Sequence, residues 1–331
     1  MADRVLLLAT KDTIAYATAP GREGVASGAE LVATIPADRL GAEVTVEDVL
    51  AEPSWDTSPG TMLGLARRIR TAILADGFDG VVVSHGTDTL EESAYLADLL
   101  AGPAARRGAI VFTGAQRQLD ELSTDGPRNL ANSIVAAAHP ALRGLGAVAC
   151  LDDELHAARW VSLVDATTVR AFSSAPFAPV GRIAGARVEL LGAAPPRPPE
   201  AGGEPEPDVA LVKTYPGMVA GLLTAVVDAG ARGVVLEGTG PGNVPAGLFA
   251  VIAELTGWDI PVVVASRART RTAALAELPP GAGLAARIGA IGARGLPAAK
   301  ARVALMVALG GGGGVAAARD WFDRLARPTD R

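Results

Sequence analysis

Residues 80–100 read Gly-Val-Val-Val-Ser-His-Gly-Thr-Asp-Thr-Leu-Glu-Glu-Ser-Ala-Tyr-Leu-Ala-Asp-Leu-Leu. The first five residues form an aliphatic run, which predicts a strand buried on both faces. Gly86 permits a tight turn after this strand, and a helix is predicted from about Thr89 to Leu100. Thr89 and Glu92 have the Thr-x-x-Glu spacing of a capping box, so we expect this helix to begin there with a side-chain cap.

The same alternation of strand and helix extends over the N-terminal part of the chain. Further aliphatic runs predict strands at 5–9, 109–113 and 146–151. Apolar residues at helical spacing predict helices beginning near 62 and spanning about 127–138. Repeated strand–helix–strand units imply right-handed crossovers and a parallel sheet with helices on both faces. We therefore predict an α/β fold.

A segment rich in proline and glycine interrupts this alternation at 193–207, and such a segment cannot form the interior of a helix or a sheet. After it the pattern restarts, with strands predicted at 208–213, 233–236 and 260–265 and helices at 218–229, 245–256, 298–308 and 315–326. We predict a large catalytic α/β domain at 1–192, the linker at 193–207, and a smaller C-terminal α/β domain at 208–331.

Composition excludes several classes of function. The 331 residues are 49% hydrophobic, and 30 basic against 36 acidic residues give a net charge of −6, which would not attract nucleic acid or an anionic membrane surface. The single cysteine, Cys150, excludes an internal disulfide and is expected to be a small buried side chain. No uncharged apolar run reaches 18 residues, the N-terminus lacks the pattern of a signal peptide, and the histidines are isolated. We expect a cytoplasmic protein without a metal site.

Hydroxyl groups follow two of the predicted strands. Thr13 comes shortly after the first strand, and Thr87 and Asp88 lie at the junction between the strand at 80–84 and its helix. Ligands of open α/β sheets bind outside the carboxyl ends of the strands, where helix N-termini supply unpaired N–H groups. A hydroxyl in such a place can attack a carbonyl while these donors stabilise the oxyanion. The alternative is that Thr87, Asp88 and Thr89 only cap the helix, and composition alone leaves the two interpretations about equal.

The string His85-Gly-Thr-Asp-Thr-Leu-Glu-Glu-Ser-Ala-Tyr95 resembles the second signature of the bacterial-type asparaginases and glutaminase-asparaginases. The resemblance extends over nearly the whole chain, through Thr10-Lys-Asp-Thr-Ile-Ala15, the segments at 114–117 and 123–130, the glycine loop Gly238-Thr-Gly-Pro-Gly-Asn-Val-Pro245, Ser266-Arg267 and Ala299-Lys-Ala-Arg-Val303. It implies an amidohydrolase that needs no metal or organic cofactor and acts on a small amino-acid amide.

The resemblance also implies roles for individual residues. Thr13 matches the primary nucleophile, and Thr87 matches the second essential threonine. Asp88 matches the carboxylate that holds the substrate's α-amino group, and Ser54 matches the serine that binds its α-carboxylate. Active sites in this family form between subunits, so the resemblance implies a homo-oligomer, a dimer or a tetramer, with Asn243 as a further substrate-binding residue.

Four departures from the family pattern bear on activity. Lys11 and Asp12 replace a glycine pair, and Leu163 stands where the family has a catalytic lysine. No tyrosine occurs in the loop at 21–25, the nearest being Tyr16, and Pro241 replaces an asparagine that a neighbouring subunit usually supplies, although Asn243 follows two residues later.

These departures leave alternatives open. We hypothesise that Lys11 takes over the role of the missing lysine, oriented by Asp12, because a desolvated lysine can act as a base. The alternative is that Lys11 and Asp12 form a solvated turn.

The leading functional prediction is hydrolysis of L-asparagine or a related amide through an acyl-threonine. The alternatives are a relative with another substrate or without hydrolytic activity, and a two-domain ligand-binding protein without chemistry.

Overall fold

The structure, a computed structural model, describes residues 3–19, 23–49, 52–268, 275, 278 and 282–326. The chain divides into two compact units, Met1–Pro195 and Pro196–Arg331. The described residues contain no helix long and apolar enough to cross a membrane.

The described part of the first unit contains twelve strands: β1 Arg4–Ala9, β2 Tyr16–Ala17, β3 Gly24–Val25, β4 Glu43–Asp48, β5 Gly80–Ser84, β6 Ala109–Thr113, β7 Ala147–Leu151, β8 Glu154–Ala157, β9 Ser162–Leu163, β10 Phe172–Ser173, β11 Gly181–Ala184 and β12 Arg187–Leu190. Its helices are α1 Gly28–Ala33, α2 Pro59–Leu74, α3 Leu90–Leu100, α4 Ala104–Arg107 and α5 Gly126–Ala138. Two of its 3₁₀ turns, Thr13–Ala15 and Ser54–Asp56, follow strand ends.

Eight of these strands form one sheet in the order β12-β11-β8-β7-β6-β5-β1-β4. The five strands from β4 to β7 are parallel, which confirms the predicted parallel sheet. The chain runs from β1 outward to β4 and then returns to the opposite side of β1 to form β5. The strand order therefore reverses between β1 and β5, and in open α/β sheets ligands bind at this point, outside the carboxyl ends of the strands.

The sheet is covered on both faces, as predicted. Successive side chains of a strand point to opposite faces, so Leu6 and Leu8 of β1 pack in one apolar cluster and Val5 and Leu7 in another. Residues of α2, α3 and α4 complete the first cluster, and residues of α1 and α5 complete the second. Cys150 of β7 is fully buried in the second cluster, as expected.

The prediction of a parallel sheet misses its antiparallel edge, where β7 pairs with β8, β8 with β11 and β11 with β12. Asp152 and Asp153 connect β7 to β8 with φ of 46° and 64°. Two positive φ values in a two-residue loop are typical of the hairpin turn whose twist matches that of the flanking strands.

The start of α3 also differs from the prediction. The helix begins at Leu90, and Thr89 makes no side-chain cap, so the predicted capping box is wrong. Instead, Thr89 Oγ1 donates to the backbone carbonyl of Ser54 at 2.7 Å. The hydroxyl of Thr89 therefore makes a tertiary contact and not the helix cap that its local spacing predicts.

The second unit contains a parallel four-stranded sheet in the order β13-β14-β15-β16, formed by Val209–Lys213, Gly233–Gly238, Val262–Ser266 and Ile291–Gly292. Its described helices are α6 Gly221–Asp228, α7 Phe249–Gly257, α8 Ala298–Leu309 and α9 Val315–Ala326. It is a smaller α/β unit, as predicted.

Candidate functional site

The carboxyl ends of β1 and β5 are tied together by two residues. Thr10 Oγ1 donates to the carbonyl of Ser84 at 2.7 Å, and the hydroxyl oxygen of Ser84 accepts the backbone N–H of Thr10 at 3.2 Å. Both side chains are buried. The segments that follow these strands therefore leave the sheet from adjacent, fixed points.

Asp12 lies just beyond β1 and is only 2% exposed. Its Oδ1 accepts the backbone N–H of Thr13 at 2.7 Å and the hydroxyl of Thr13 at 3.2 Å. Its Oδ2 accepts the backbone N–H of Ser54 at 2.8 Å. The alternative of a solvated turn is therefore wrong for Asp12, whose two carboxylate oxygens are both engaged, whereas Lys11 is exposed.

Ser54 lies in the 3₁₀ turn after β4 and is also 2% exposed. Its hydroxyl donates to Asp88 Oδ2 at 3.1 Å, while its backbone N–H donates to Asp12. We call this arrangement, in which Ser54 donates to Asp12 and to Asp88, the Ser54 bridge. It connects the segments that follow β1, β4 and β5.

Gly86 allows the Ser54 bridge to form. A β-carbon built on Gly86 would lie 1.9 Å from Asp12 Oδ2 and 2.1 Å from Ser54 Oγ, so both oxygens occupy the space that any side chain would need. The turn after β5 thus requires glycine because of this close approach.

Thr87 follows Gly86 and is 9% exposed. Its methyl group faces Gly114, where a built β-carbon would lie 3.3 Å from Thr87 Cγ2 and 2.4 Å from the carbonyl oxygen of His85. Gly114, at the end of β6, therefore provides the surface against which the Thr87 turn packs.

His85 is 3% exposed, and its Nδ1 lies 2.8 Å from the carbonyl oxygen of Gly86, to which it donates. Burial lowers the pKa of His85, and the Gly86 carbonyl and the negative charge of Asp12 offset this only in part. The imidazole is therefore neutral at pH 7 and does not compensate the charge of Asp12.

Leu163, which the family resemblance places at the position of a catalytic lysine, is connected to α3. Its backbone N–H donates to Glu91 Oε1 at 3.3 Å, and the hydroxyl of Ser162 donates to Glu91 Oε2 at 2.8 Å. Its side chain packs against the apolar cluster beneath α2 and α3. The β9 segment therefore lies beside the first turn of α3, which directly follows Thr87 and Asp88.

Thr13, Ser54 and Asp88 thus belong to one continuous set of contacts, and Thr87 lies in the turn between Gly86 and Asp88. Asn243 lies in the second unit, where its Oδ1 accepts the backbone N–H of Gly283 at 2.8 Å. Tyr16 of β2 pairs with Val25 of β3 in antiparallel orientation, and residues 21 and 22 of the predicted loop at 21–25 lie outside the described residues.

Sequence reasoning missed the main role of Asp12, which it treated only as a partner for Lys11. A local signal existed, because Asp before Thr at a helix start is a typical N-cap, and Asp12 does cap the 3₁₀ turn at Thr13–Ala15. The contact with Ser54 had no signal, since the two residues lie 42 positions apart.

A cavity of about 370 Å³ is lined by residues of the segment after α1, of α5 and of the β11–β12 turn, and it contains none of the residues above. No group of three or more potential metal ligands occurs among the residues that the structure describes.

Comparisons with known proteins match both units of this chain to one family. The family described as asparaginase, N-terminal, matches residues 4–195, and the glutaminase/asparaginase C-terminal domain matches residues 208–322. A probable L-asparaginase of Deinococcus radiodurans is 34% identical over 315 residues, covering 92% of each chain. L-asparaginase 2 of Escherichia coli is 33% identical over 297 residues, covering 87% of this chain and 81% of its own.

The fold has a close counterpart among solved structures. The crystal structure of a probable cytoplasmic L-asparaginase from Campylobacter jejuni superimposes with a TM-score of 0.81 at 28% sequence identity. The match covers 97% of this chain and 99% of that one.

Proposed function

Because this chain belongs to the asparaginase family and is an amidohydrolase of that type, we propose that it hydrolyses the side-chain amide of L-asparagine or a related amide, with Thr13 as its nucleophile. The observation that carries the proposal is the set of contacts joining Thr13, Asp12, Ser54 and Asp88 at the point where the strand order reverses. A substrate held by Asp88 would have its amide presented to a hydroxyl fixed on the neighbouring strand end.

The proposed reaction has two steps. The hydroxyl oxygen of Thr13 attacks the amide carbon, the C–N bond breaks, and the hydroxyl proton leaves with the nitrogen as ammonia. Water then attacks the resulting ester, which releases the carboxylic acid and restores the threonine. Thr87 is proposed to assist the attack or to orient the water.

The proton of Thr13 has a nearby acceptor. Thr13 Oγ1 donates to Asp12 Oδ1 at 3.2 Å, a distance within reach of proton transfer once the contact shortens on substrate binding.

The hypothesis that Lys11 acts as the base has less support. In extended backbone, successive side chains point to opposite sides, and Lys11 is exposed whereas Asp12 is buried. The Lys11 hypothesis predicts that Lys11→Met lowers turnover by about 10²-fold or more; unchanged turnover would reject it.

Assembly and location are part of the proposal. We expect a homo-oligomer, a dimer or a tetramer, with Asn243 contributing to substrate binding, and a cytoplasmic location. Support for the location comes from the Campylobacter jejuni protein, which is called cytoplasmic. The domain boundaries at 192 and 208 also stay predictions.

An ammonia-release screen over asparagine, glutamine and larger amides tests the proposal. Hydrolysis that is lost in both Thr13→Ala and Thr87→Ala supports it, and hydrolysis that persists in Thr13→Ala contradicts the nucleophile. The second candidate is a relative with another substrate or without hydrolytic activity, favoured by Leu163 at the lysine position. Tight binding of an amino acid without ammonia release would favour that candidate.

A further inference from the structure

We infer that Asp12 determines substrate class: it selects amides whose far end carries a cationic amine and disfavours those whose far end carries a carboxylate. This inference rests on the proposed function, because it concerns the same site. It follows from three observations, on the donors of Ser54, on the charges around it and on the space beside Gly86.

The donors of Ser54 are already in use. Its backbone N–H donates to Asp12 at 2.8 Å and its hydroxyl donates to Asp88 at 3.1 Å. A serine that held a substrate carboxylate would have to offer that carboxylate one of these two hydrogens. In this chain, each of them is held by a carboxylate of the protein.

The charges around Ser54 are negative. Asp12 and Asp88 flank it, and no lysine or arginine of the described ranges forms an ion pair with either carboxylate. His85, which lies close enough to Asp12 to feel its charge, is neutral because burial lowers its pKa. A ligand carboxylate placed here would be a third anion, whereas an ammonium would be attracted by the charges of both carboxylates.

The carboxylate of Asp12 also occupies the space beside Gly86, together with the hydroxyl of Ser54. Asp12 Oδ2 and Ser54 Oγ both lie within about 2 Å of the position that a β-carbon on Gly86 would occupy. A glycine in place of Asp12 would remove one of these two groups and leave Ser54 Oγ beside this face of Gly86. Asp12 therefore brings a charge and also removes volume next to Ser54.

Two derivatives of asparagine separate the contributions of its charged groups. Removing the carboxylate gives β-alaninamide, which keeps the amine, and removing the amine gives succinamate, which keeps the carboxylate. Both keep the same amide at the same chain length. We expect kcat/KM for β-alaninamide to exceed that for succinamate by at least about 10-fold in the natural protein, a difference of about 1.4 kcal/mol.

The variant Asp12→Asn tests the cause, because it removes the charge and keeps nearly the same volume. We expect the ratio of the two kcat/KM values to fall by at least about 10-fold, with kcat/KM for succinamate rising relative to that for β-alaninamide. The ratio is the readout because any loss of proton transfer from Thr13 lowers both substrates alike. Asp56→Asn is the matched control, since Asp56 is exposed two residues after Ser54, and its ratio should stay unchanged.

Asp12 is buried, so Asp12→Asn needs a check of folding by thermal unfolding, and Asp12→Gly provides a second variant with the same expected direction. A preference for succinamate in the natural protein, or an unchanged ratio in both folded variants, would overturn the inference and leave amide hydrolysis intact. Absence of ammonia from every amide would instead refute the proposed function. In that case calorimetric binding of the two amides to the natural protein still decides the inference, because tighter binding of succinamate would overturn it.

Discussion

The carboxylate of Asp12 accepts the backbone N–H of Ser54 at 2.8 Å across 42 residues of sequence. This bond joins the turn after β1 to the turn after β4, and the Ser54 hydroxyl extends the connection to Asp88 after β5. Ser54 and the carboxylates of Asp12 and Asp88 therefore connect the segments that follow β1, β4 and β5. The site is built from tertiary contacts between loops, and each loop depends on the other two for its position.

Gly86→Ala tests how closely these loops must approach. The new methyl group would lie about 2 Å from Asp12 Oδ2 and Ser54 Oγ, so both must move. We expect kcat/KM to fall by about 10²-fold, since a shift of about 1 Å has this effect, and stability to fall by about 1–3 kcal/mol. Gly64→Ala is the control, because Gly64 lies on the exposed side of α2 with nothing within 4 Å of a built β-carbon. Unchanged activity in Gly86→Ala would show that the Ser54 bridge is not needed.

His85 should make stability depend on pH. Its folded-state pKa is lowered mainly by burial, so below about 6.5 the unfolded chain binds a proton that the folded chain resists. The contribution of His85 to the free energy of unfolding is fully present above about pH 6.5. It falls by at most about 1.4 kcal/mol per pH unit as the pH decreases below that value. Chemical denaturation of the natural protein and of His85→Gln between pH 5 and 8 measures the difference. A difference between the two that does not change with pH would contradict the prediction.

The sequence predicted the parallel strands well because their aliphatic runs are long and their burial is complete. It predicted less where structure depends on partners distant in the chain. The hairpin at Asp152 and Asp153 requires two positive φ values at residues that are not glycine, and β12 is too exposed to show an aliphatic run. The hydroxyl of Thr89 fits a cap by local spacing, yet the carbonyl of Ser54 takes it.

The residues of the candidate site were likewise predictable where the sequence signal is local and not where it depends on distant partners. Thr13, Thr87 and Asp88 were predictable because they follow strands that end at one edge of the sheet. The burial of Asp12 was not, because an aspartate in a turn is normally solvated, and its buried position depends on the N–H of the distant Ser54 as well as on the donors of Thr13.

Cys150 should be inert in the folded protein. Burial in β7 raises its pKa to about 12, so about one thiol in 10⁴ is ionised at pH 8, and that thiol is enclosed by the sheet and α5. We expect a disulfide reagent to label no thiol of the native protein on a timescale of minutes and one thiol per chain in denaturant. Because the chain has one cysteine, the labelling rate at low denaturant then reports opening of the first unit. Rapid labelling without denaturant would contradict the described packing of β7.

Leu163→Lys tests whether activity is limited by the residue that the family resemblance places there. Leu163 lies beside the first turn of α3 through its contact with Glu91, so the introduced amino group would lie near the turn that carries Thr87 and, in its neutral form, could accept a proton. A general base contributes roughly 10²–10⁴-fold in a fitted site, so we expect kcat for the best amide to rise by at least about 10-fold, with some loss of stability because an apolar contact is replaced. Leu163→Met keeps the volume without the charge and should leave kcat within about 2-fold. If both variants have the activity of the natural protein, then the lysine is not what this site lacks, and the proton of Thr13 already has its acceptor in Asp12.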